Sequence, residues 1–393
     1  MGHRSNRSVM AIAIQPLANT FVLPGAGSLI PVGSITDTVD PIEADDPTLT
    51  GSLDTSPSIP LGEDGTAGGT YPLRGPGGTE PPAADGWVFG RVLQSAGFTE
   101  IINATPITIA AAAGGDTDTV VLDAAASAVD DFYVGMPIQH AGVGQGIRAT
   151  TSMINYNGTT KTGDIAETLG APITADDWTI PASLTYSLST GGGPLLSVSV
   201  WRDKKRYDYE GCSLASLRLN LPTSARDGGD LPNFEFSLAG NPYADVDEDA
   251  PSINVGLLTK IAPFRAGKLV IDRKKLGAGN VSIDFGATSG FQPNPNLDSG
   301  YESGELLSRT RTLDLDLNAV LKSEWDHRGR ARAQADMPVL AVWGNGPGSN
   351  FMASMPTNRL RPLSNGDRGG YVNLTGSASP IGANRSINFS IFW

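Results

Sequence analysis

The chain has 393 residues, with 48 Gly, 28 Pro, a formal net charge of −13 and one cysteine. That composition favours many short strands and turns over long helices, and its acidity excludes a general nucleic-acid binder, which needs a dense Lys/Arg surface to hold phosphates. An acidic wall past which DNA slides stays open, while the lone Cys212 excludes an internal disulfide and cysteine-ligated metal sites.

Residues 1–30 read as an arm with a strand or short helix around residues 9–14. The positive start and short apolar run are broken by Gln15 and Pro16, which argues against a secretory signal, and no run of 18 apolar residues predicts a transmembrane helix. Residues 33–80 are rich in Pro, Gly, Thr and Asp. Leu49, Leu53, Ile59 and Leu61 recur there, which predicts an extended segment lying across a neighbouring surface. A short helix is expected within residues 87–98, with Trp87, Val88 and Val92 on one face and Gly97 as its stop.

Residues 116–180 read as a separate small β-barrel unit, with strands at 119–122, 147–154 and 162–165 and a Tyr156-Asn157-Gly158 turn. Residues 184–240 then read as a β-meander. Leu196, Val198 and Val200 alternate with Ser197, Ser199 and Trp201; Leu217, Leu219 and Leu221 alternate with Arg218 and Asn220; Phe234, Phe236 and Leu238 alternate with Glu235 and Ser237. Period two predicts antiparallel strands with one face buried and one solvated. Residues 243–249 read as an acidic loop, and further strands are expected at 268–272, 281–286, 313–317, 339–343, 371–374 and 387–393. A helix capped by Asn318 is expected to run to Trp325. A faint echo links residues 45–61 with 294–317, each a polar extended stretch followed by Leu-rich alternation.

Catalytic chemistry finds little support. His3, His140 and His327 are far apart and lack ligand spacing. The run Gly142-Val143-Gly144-Gln145-Gly146 lacks the Lys-Ser/Thr pair of a phosphate loop and a following helix. Asp245, Asp247 and Asp249 lack the glycine and terminal glutamate of a helix-loop-helix calcium site. Alternation with leucines accounts for Asp314 and Asp316. No enzyme activity, cofactor or metal is expected. The basic turn Arg202, Lys204, Lys205 and Arg206 would suit an acidic patch on a neighbouring subunit, with Asp245, Asp247 and Asp249 as candidate partners; a solvated turn is the equal alternative.

The segment 88–98, the strand opening Leu184-Thr-Tyr-Ser-Leu-Ser, the charged turn leading to Tyr209-Glu210-Gly211-Cys212, and the strand Phe234-Glu-Phe-Ser-Leu-Ala-Gly240 together resemble the major tail tube proteins of long-tailed bacteriophages. Ala126–Met136 and Asn155–Lys161 resemble a small β module that recurs as an insertion in phage structural proteins. The resemblance covers most of residues 85–285. It implies a mainly β fold, a sandwich or barrel with a short flanking helix and an inserted small β-barrel domain. Residues 1–115 would form an arm and the first part of the tube domain, 116–180 the insertion on the tube exterior, and 181–393 the remainder. A second copy of the fold from about residue 260 is the alternative to a single copy.

The implied function is structural: stacked rings forming the virion tail tube, the conduit for genome delivery, made in the host cytoplasm. Rings would be hexameric, or trimeric if the fold is duplicated, with arms such as residues 9–61 bridging successive rings. Implied partners are further copies of the chain, the tape-measure protein, tail-tip and terminator proteins, and genomic DNA passing an acidic lumen without specific binding; no membrane is involved. A capsid decoration or other head–tail protein is the runner-up. A carbohydrate-binding adhesion module using Trp87, Trp178, Trp201, Trp343 or Trp393 is a third reading.

Overall fold

The computed structural model describes residues 8–46, 58–109, 116–140, 146–173, 178–223, 230–253, 259–265, 267–297, 299–382 and 384–393. Among the described residues eighteen strands join in one sheet, and the sixteen longest of them, with two short helices, build the body. In chain order they are β1 (Ser8–Gln15), β2 (Ser34–Asp45), β3 (Ser58–Pro72), α1 (Gly90–Ser95), β4 (Phe98–Asn103), β5 (Ser183–Leu188), β6 (Leu195–Arg202), β7 (Lys205–Pro222) and β8 (Asn233–Asp247). There follow β9 (Lys268–Ile271), β10 (Ala278–Asp284), β11 (Thr312–Asn318), α2 (His327–Ala333), β12 (Asp336–Gly344), β13 (Asn350–Leu360), β14 (Ser364–Arg368), β15 (Tyr371–Pro380) and β16 (Asn388–Phe392). The fold is mainly β.

One layer is a continuous antiparallel ladder in the order β2–β3–β8–β7–β10–β11–β15–β14. A second runs β9–β12–β13–β16–β5–β4. The long strands β7 and β13 tie the two together. β7 pairs with β6 along its first half and with β10 along its last residues, and β13 pairs with β16 early and β15 late.

The main core lies between the layers. Leu217, Leu219, Phe234, Phe236, Ile283, Leu313 and Leu315 come from the ladder, and Tyr186, Val339, Trp343, Phe351, Phe389 and Ile391 from the second layer. Phe234 meets Phe389 with ring centroids 5.4 Å apart. Each such ring removed from water contributes roughly 2–3 kcal/mol before entropy is counted. The segment before α1 inserts Trp87 and Phe89 into this core, where Phe89 stacks on Tyr71 at 4.3 Å. The helix ends because Gly97 takes φ +84°, a left-handed value that costs glycine little, while its N–H donates to the Gln94 carbonyl.

The inserted unit has its own core of Val120, Tyr133, Met136, Ile138, Met153, Tyr156, Ile165 and Ile180, joined by Ile109. Its strands are Ile107–Thr108, Thr119–Val121, Pro137–His140, Thr151–Ser152, Thr162–Asp164 and Trp178–Ile180. The chain leaves the body at Asn103 and returns at Ser183, which face each other across β4 and β5. The unit docks on the second layer's other side, where Ala166 packs against Val270, Leu340, Val342, Met352 and Phe392. Ladder and inserted unit therefore cover opposite faces of the second layer.

Several sequence expectations are corrected. β1 is not an arm: it is a central strand between β6 and Leu29–Ile30, with Met10, Ala11 and Ile12 fully buried. Residues 33–80 contribute the long β2–β3 hairpin, whose second strand pairs with β8 of the same chain; Leu49 and Leu53 lie outside the described residues. Residues 243–247 continue β8 instead of forming a loop. The 3-10 turn Gly146–Ala149 and the short strand Thr151–Ser152 replace the expected strand at 147–154. The helix expected at 318–325 forms later, as α2, because Asp326 caps it: its Oδ1 accepts from the Gly329 N–H at 3.0 Å.

Candidate functional site

Cross-strand partners share one face of a sheet, so the pairing register assigns the ladder's outer face residue by residue. One row runs Ser34, Thr70, Glu235, Arg218, Asp284, Thr312. Neighbouring rows add Thr36, Gly68 and Ser237, then Asn280, Asp316, Thr375 and Ser364, then Ser282, Asp314 and Ser377. Small hydroxyls, amides and carboxylates make up these rows, with no apolar side chain among them. Towards one end lie Asp40 and Asp64. Burial, with Asp40 nearby, raises the Asp64 pKa above the usual carboxylate value, against a hydrogen bond from the Gly65 backbone.

The face is knit to itself. Arg218 Nη2 donates to Ser282 Oγ at 2.8 Å and Asp314 Oδ2 at 3.2 Å, crossing the joint between β7 and β10. Arg368 Nη1 donates to Asp316 Oδ2 at 2.8 Å, and Asn373 Nδ2 to Asp316 Oδ1 at 2.6 Å. Ser34 bonds Thr70 at 3.0 Å, and Thr38 meets Thr66 at 2.6 Å. Asp40, Asp64, Glu235, Asp284, Asp314 and Asp316 outnumber Arg218 and Arg368 on this surface, so the face is acidic, with the exposed Tyr371 at the β14–β15 turn as its one large aromatic among the described residues. Asp314 and Asp316 thus belong to arginine pairs on a broad sheet surface. Sequence reading passed over Arg218 and Arg368, whose signal was a basic residue alternating into a polar strand face.

The basic turn and the acidic strand end do meet, within one chain. β7 and β8 align Lys205 with Asp247 and Tyr207 with Asp245. Lys205 Nζ lies 2.5 Å from Asp245 Oδ2, and that hydrogen bond is the main cause raising its pKa. Arg206 pairs with Glu248 and, at 3.0 Å, with Asp208, whose side chain is almost wholly buried and also accepts from Ser199 Oγ at 2.6 Å. Arg202 reaches Asp37 and the Ile35 carbonyl on β2. Lys204 and Asp249 are exposed. These pairings fix the β7–β8 hairpin and tie it to β2.

Glu302 lies in a groove of about 500 Å³ bounded by Gly192, Gly193, Ser213 and Ser303. Hydrogen bonds from Asn19 and Asn294 lower its pKa, a fixed anion rather than a proton donor. Among the described residues no three His, Cys, Asp or Glu side chains are grouped to hold a metal ion. His327 sits at the start of α2 and His140 on a strand of the inserted unit; His3 and residues 142–145 lie outside the described residues.

No protein-family model matches the chain, and no curated protein sequence matches it.

Proposed function

We propose that this protein is a structural virion component whose copies assemble into rings that stack into a tail tube, a conduit for DNA. The observation that carries this reading is the ladder: eight antiparallel strands in series, apolar on one side, mostly polar and acidic on the other, with β2 and β14 open at its ends among the described residues. A sheet with one dry face, one slippery face and two free edges suits closure with further copies into a barrel, because closure removes exposed edges. A net-acidic bore repels phosphates, so DNA passes without being held.

The body also repeats a pattern. Hairpin, short helix, hairpin, hairpin runs β2–β3, α1, β4–β5, β7–β8, and again β10–β11, α2, β12–β13, β14–β15. In each run the second strand of the first hairpin pairs with the second strand of the last, β3 with β8 and β11 with β15. Each half supplies four ladder strands. This favours a duplicated tube fold, and hence three copies per ring in place of six. The halves begin near residues 34 and 278. The inserted unit, on the side of the second layer away from the ladder, would decorate the exterior.

Negative-stain electron microscopy of untagged protein over a concentration series, with mass measured in solution, tests the reading. Hollow tubes with a regular axial repeat and threefold end-on views are expected. Protein that stays monomeric even when nucleated by tail tips overturns it.

A further inference from the structure

In a chain of net charge −13, arginines that face no acid call for an explanation. Arg202, Arg206, Arg218 and Arg368 each meet a carboxylate. Arg309 and Arg311 do not. They stand two residues apart, at the end of the strand Glu305–Arg309 and just before β11, and both are half-buried. Arg309 Nη1 donates to the Ala96 carbonyl at 2.9 Å, and its Nη2 to the Ser189 carbonyl at 2.6 Å. Arg311 Nη1 donates to the Gly382 carbonyl at 3.0 Å and to the Ser386 hydroxyl. These bonds fasten the end of α1, the β5–β6 loop and the approach to β16, but neutral oxygens leave both charges uncancelled. Among the described residues, Nε and Nη2 of Arg311 have no protein partner. Burial lowers the pKa of both arginines, and the charge of Arg311 lowers that of Arg309 further.

Both side chains line a cavity of about 280 Å³, with Thr190, Gly192, Leu306 and Ser308 among its other walls. No acidic side chain borders it. Glu302 and Glu305 line the neighbouring groove and not this one. The cavity is also roomy at the loop: a Cβ added to Gly192 would meet nothing within 4 Å.

The cavity faces away from the ladder's polar surface. Thr312 belongs to the outer row, and alternation puts Arg311 on the side of Leu313 and Leu315, which are core residues. Phosphates of DNA moving along the outer face do not meet these guanidiniums.

We propose that this cavity is an oxyanion site, in which a phosphate or carboxylate group sits between the guanidiniums of Arg309 and Arg311. The free Nε and Nη2 of Arg311 supply the two-pronged donor that such a group takes. The hydroxyls of Thr190 and Ser308 border the same space and can complete the shell. The group comes either from free inorganic phosphate or from an acidic side chain of another protein. Occupied, the site ties the β5–β6 loop of the first half to the entry of β11 in the second. It does not depend on the tube reading.

Thermal melts at constant pH and ionic strength, with chloride replaced stepwise by phosphate or by N-acetylglutamate amide, test this. Phosphate also stabilises proteins in general by exclusion from their surfaces, so a saturable rise in the midpoint is the signal, and two variants locate it. Arg311→Gln removes the free prongs and should weaken binding by about tenfold or more. Gly192→Glu brings a carboxylate to the cavity; it should melt higher than the wild type in chloride and lose the saturable response. A response to phosphate alone assigns the site to the free ion, and a response to N-acetylglutamate amide alone assigns it to a protein side chain. A saturable response that both variants keep, or none to either probe in the wild type, overturns the site. If a variant fails to fold, calorimetric titration of the wild type with the two probes decides, and the absence of saturable binding of either overturns the proposal.

Discussion

Asp208 is the residue on which the β7–β8 hairpin depends most. Its carboxylate is buried and held by Ser199 and Arg206, while Arg206 also lies 5.9 Å from the centre of the Trp201 ring. Removing the guanidinium leaves a buried charge uncompensated, so Arg206→Ala is expected to destabilise the protein by about 3–5 kcal/mol in urea unfolding. The neighbouring Lys205 offers the contrast. Its ammonium is solvated, and such pairs contribute little, so Lys205→Ala should leave the unfolding midpoint unchanged. Equal losses for the two variants would refute this distinction. The sequence displayed all these charges in adjacent stretches. It did not show that one arginine reaches a buried aspartate, because burial of Asp208 comes from strands paired across the whole hairpin.

At the scale of elements, alternation foretold the strands and misread one of their faces. Ser197 and Ser199 on β6 were expected to meet water; both are buried, as are Ser183, Thr185 and Ser187 on β5. Ser197 donates to Gln15, Thr185 meets Ser390 at 2.9 Å, and Ser187 donates to Asn388. Small hydroxyls that satisfy one another can line a face covered by a second layer, and period two alone does not separate that from a wet face. In the ladder the same pattern was read correctly, since its polar face has no cover among the described residues.

Residues 107–180 gather around a core cluster of their own, and how that cluster docks on the second layer was not legible in the sequence. Lys268 on β9 and Glu167 of the unit form a buried ion pair, with Lys275 3.8 Å from the carboxylate, and burial lowers the Lys268 pKa despite the attraction of Glu167. Lys268→Met alone should cost about 3–5 kcal/mol by stranding Glu167, and adding Glu167→Leu should recover most of it. A double-mutant cycle in denaturant gives the answer; a double variant as unstable as the single one would show that the pair is not the fastening.

For the whole molecule, the charge of the ladder's outer face is the property the proposed conduit uses. Asp314→Lys together with Asp316→Lys converts a repelling surface into an attracting one. Tubes of this variant should retain duplex DNA with an affinity that falls steeply as salt rises, whereas wild-type tubes should show no retention in a filter assay at the same salt. Equal retention by both would remove the reason for an acidic bore. The net charge of −13 announced this property without locating it; six of the carboxylates concerned come from five strands spread between residues 40 and 316, and only strand pairing brings them to one face.

Asn103 and Ser183 are partners in one hairpin, although nearly eighty residues separate them along the chain. Whatever lies between can grow, shrink or be exchanged for another unit with adjacent ends while β4 and β5 stay in register. The ladder lies beyond the second layer from that point, so such changes leave its curvature untouched. In a tube built this way, girth and bore are governed by separate stretches of sequence. A lineage could thicken, thin or re-dress the outside of its tail while the passage for the genome kept a constant width.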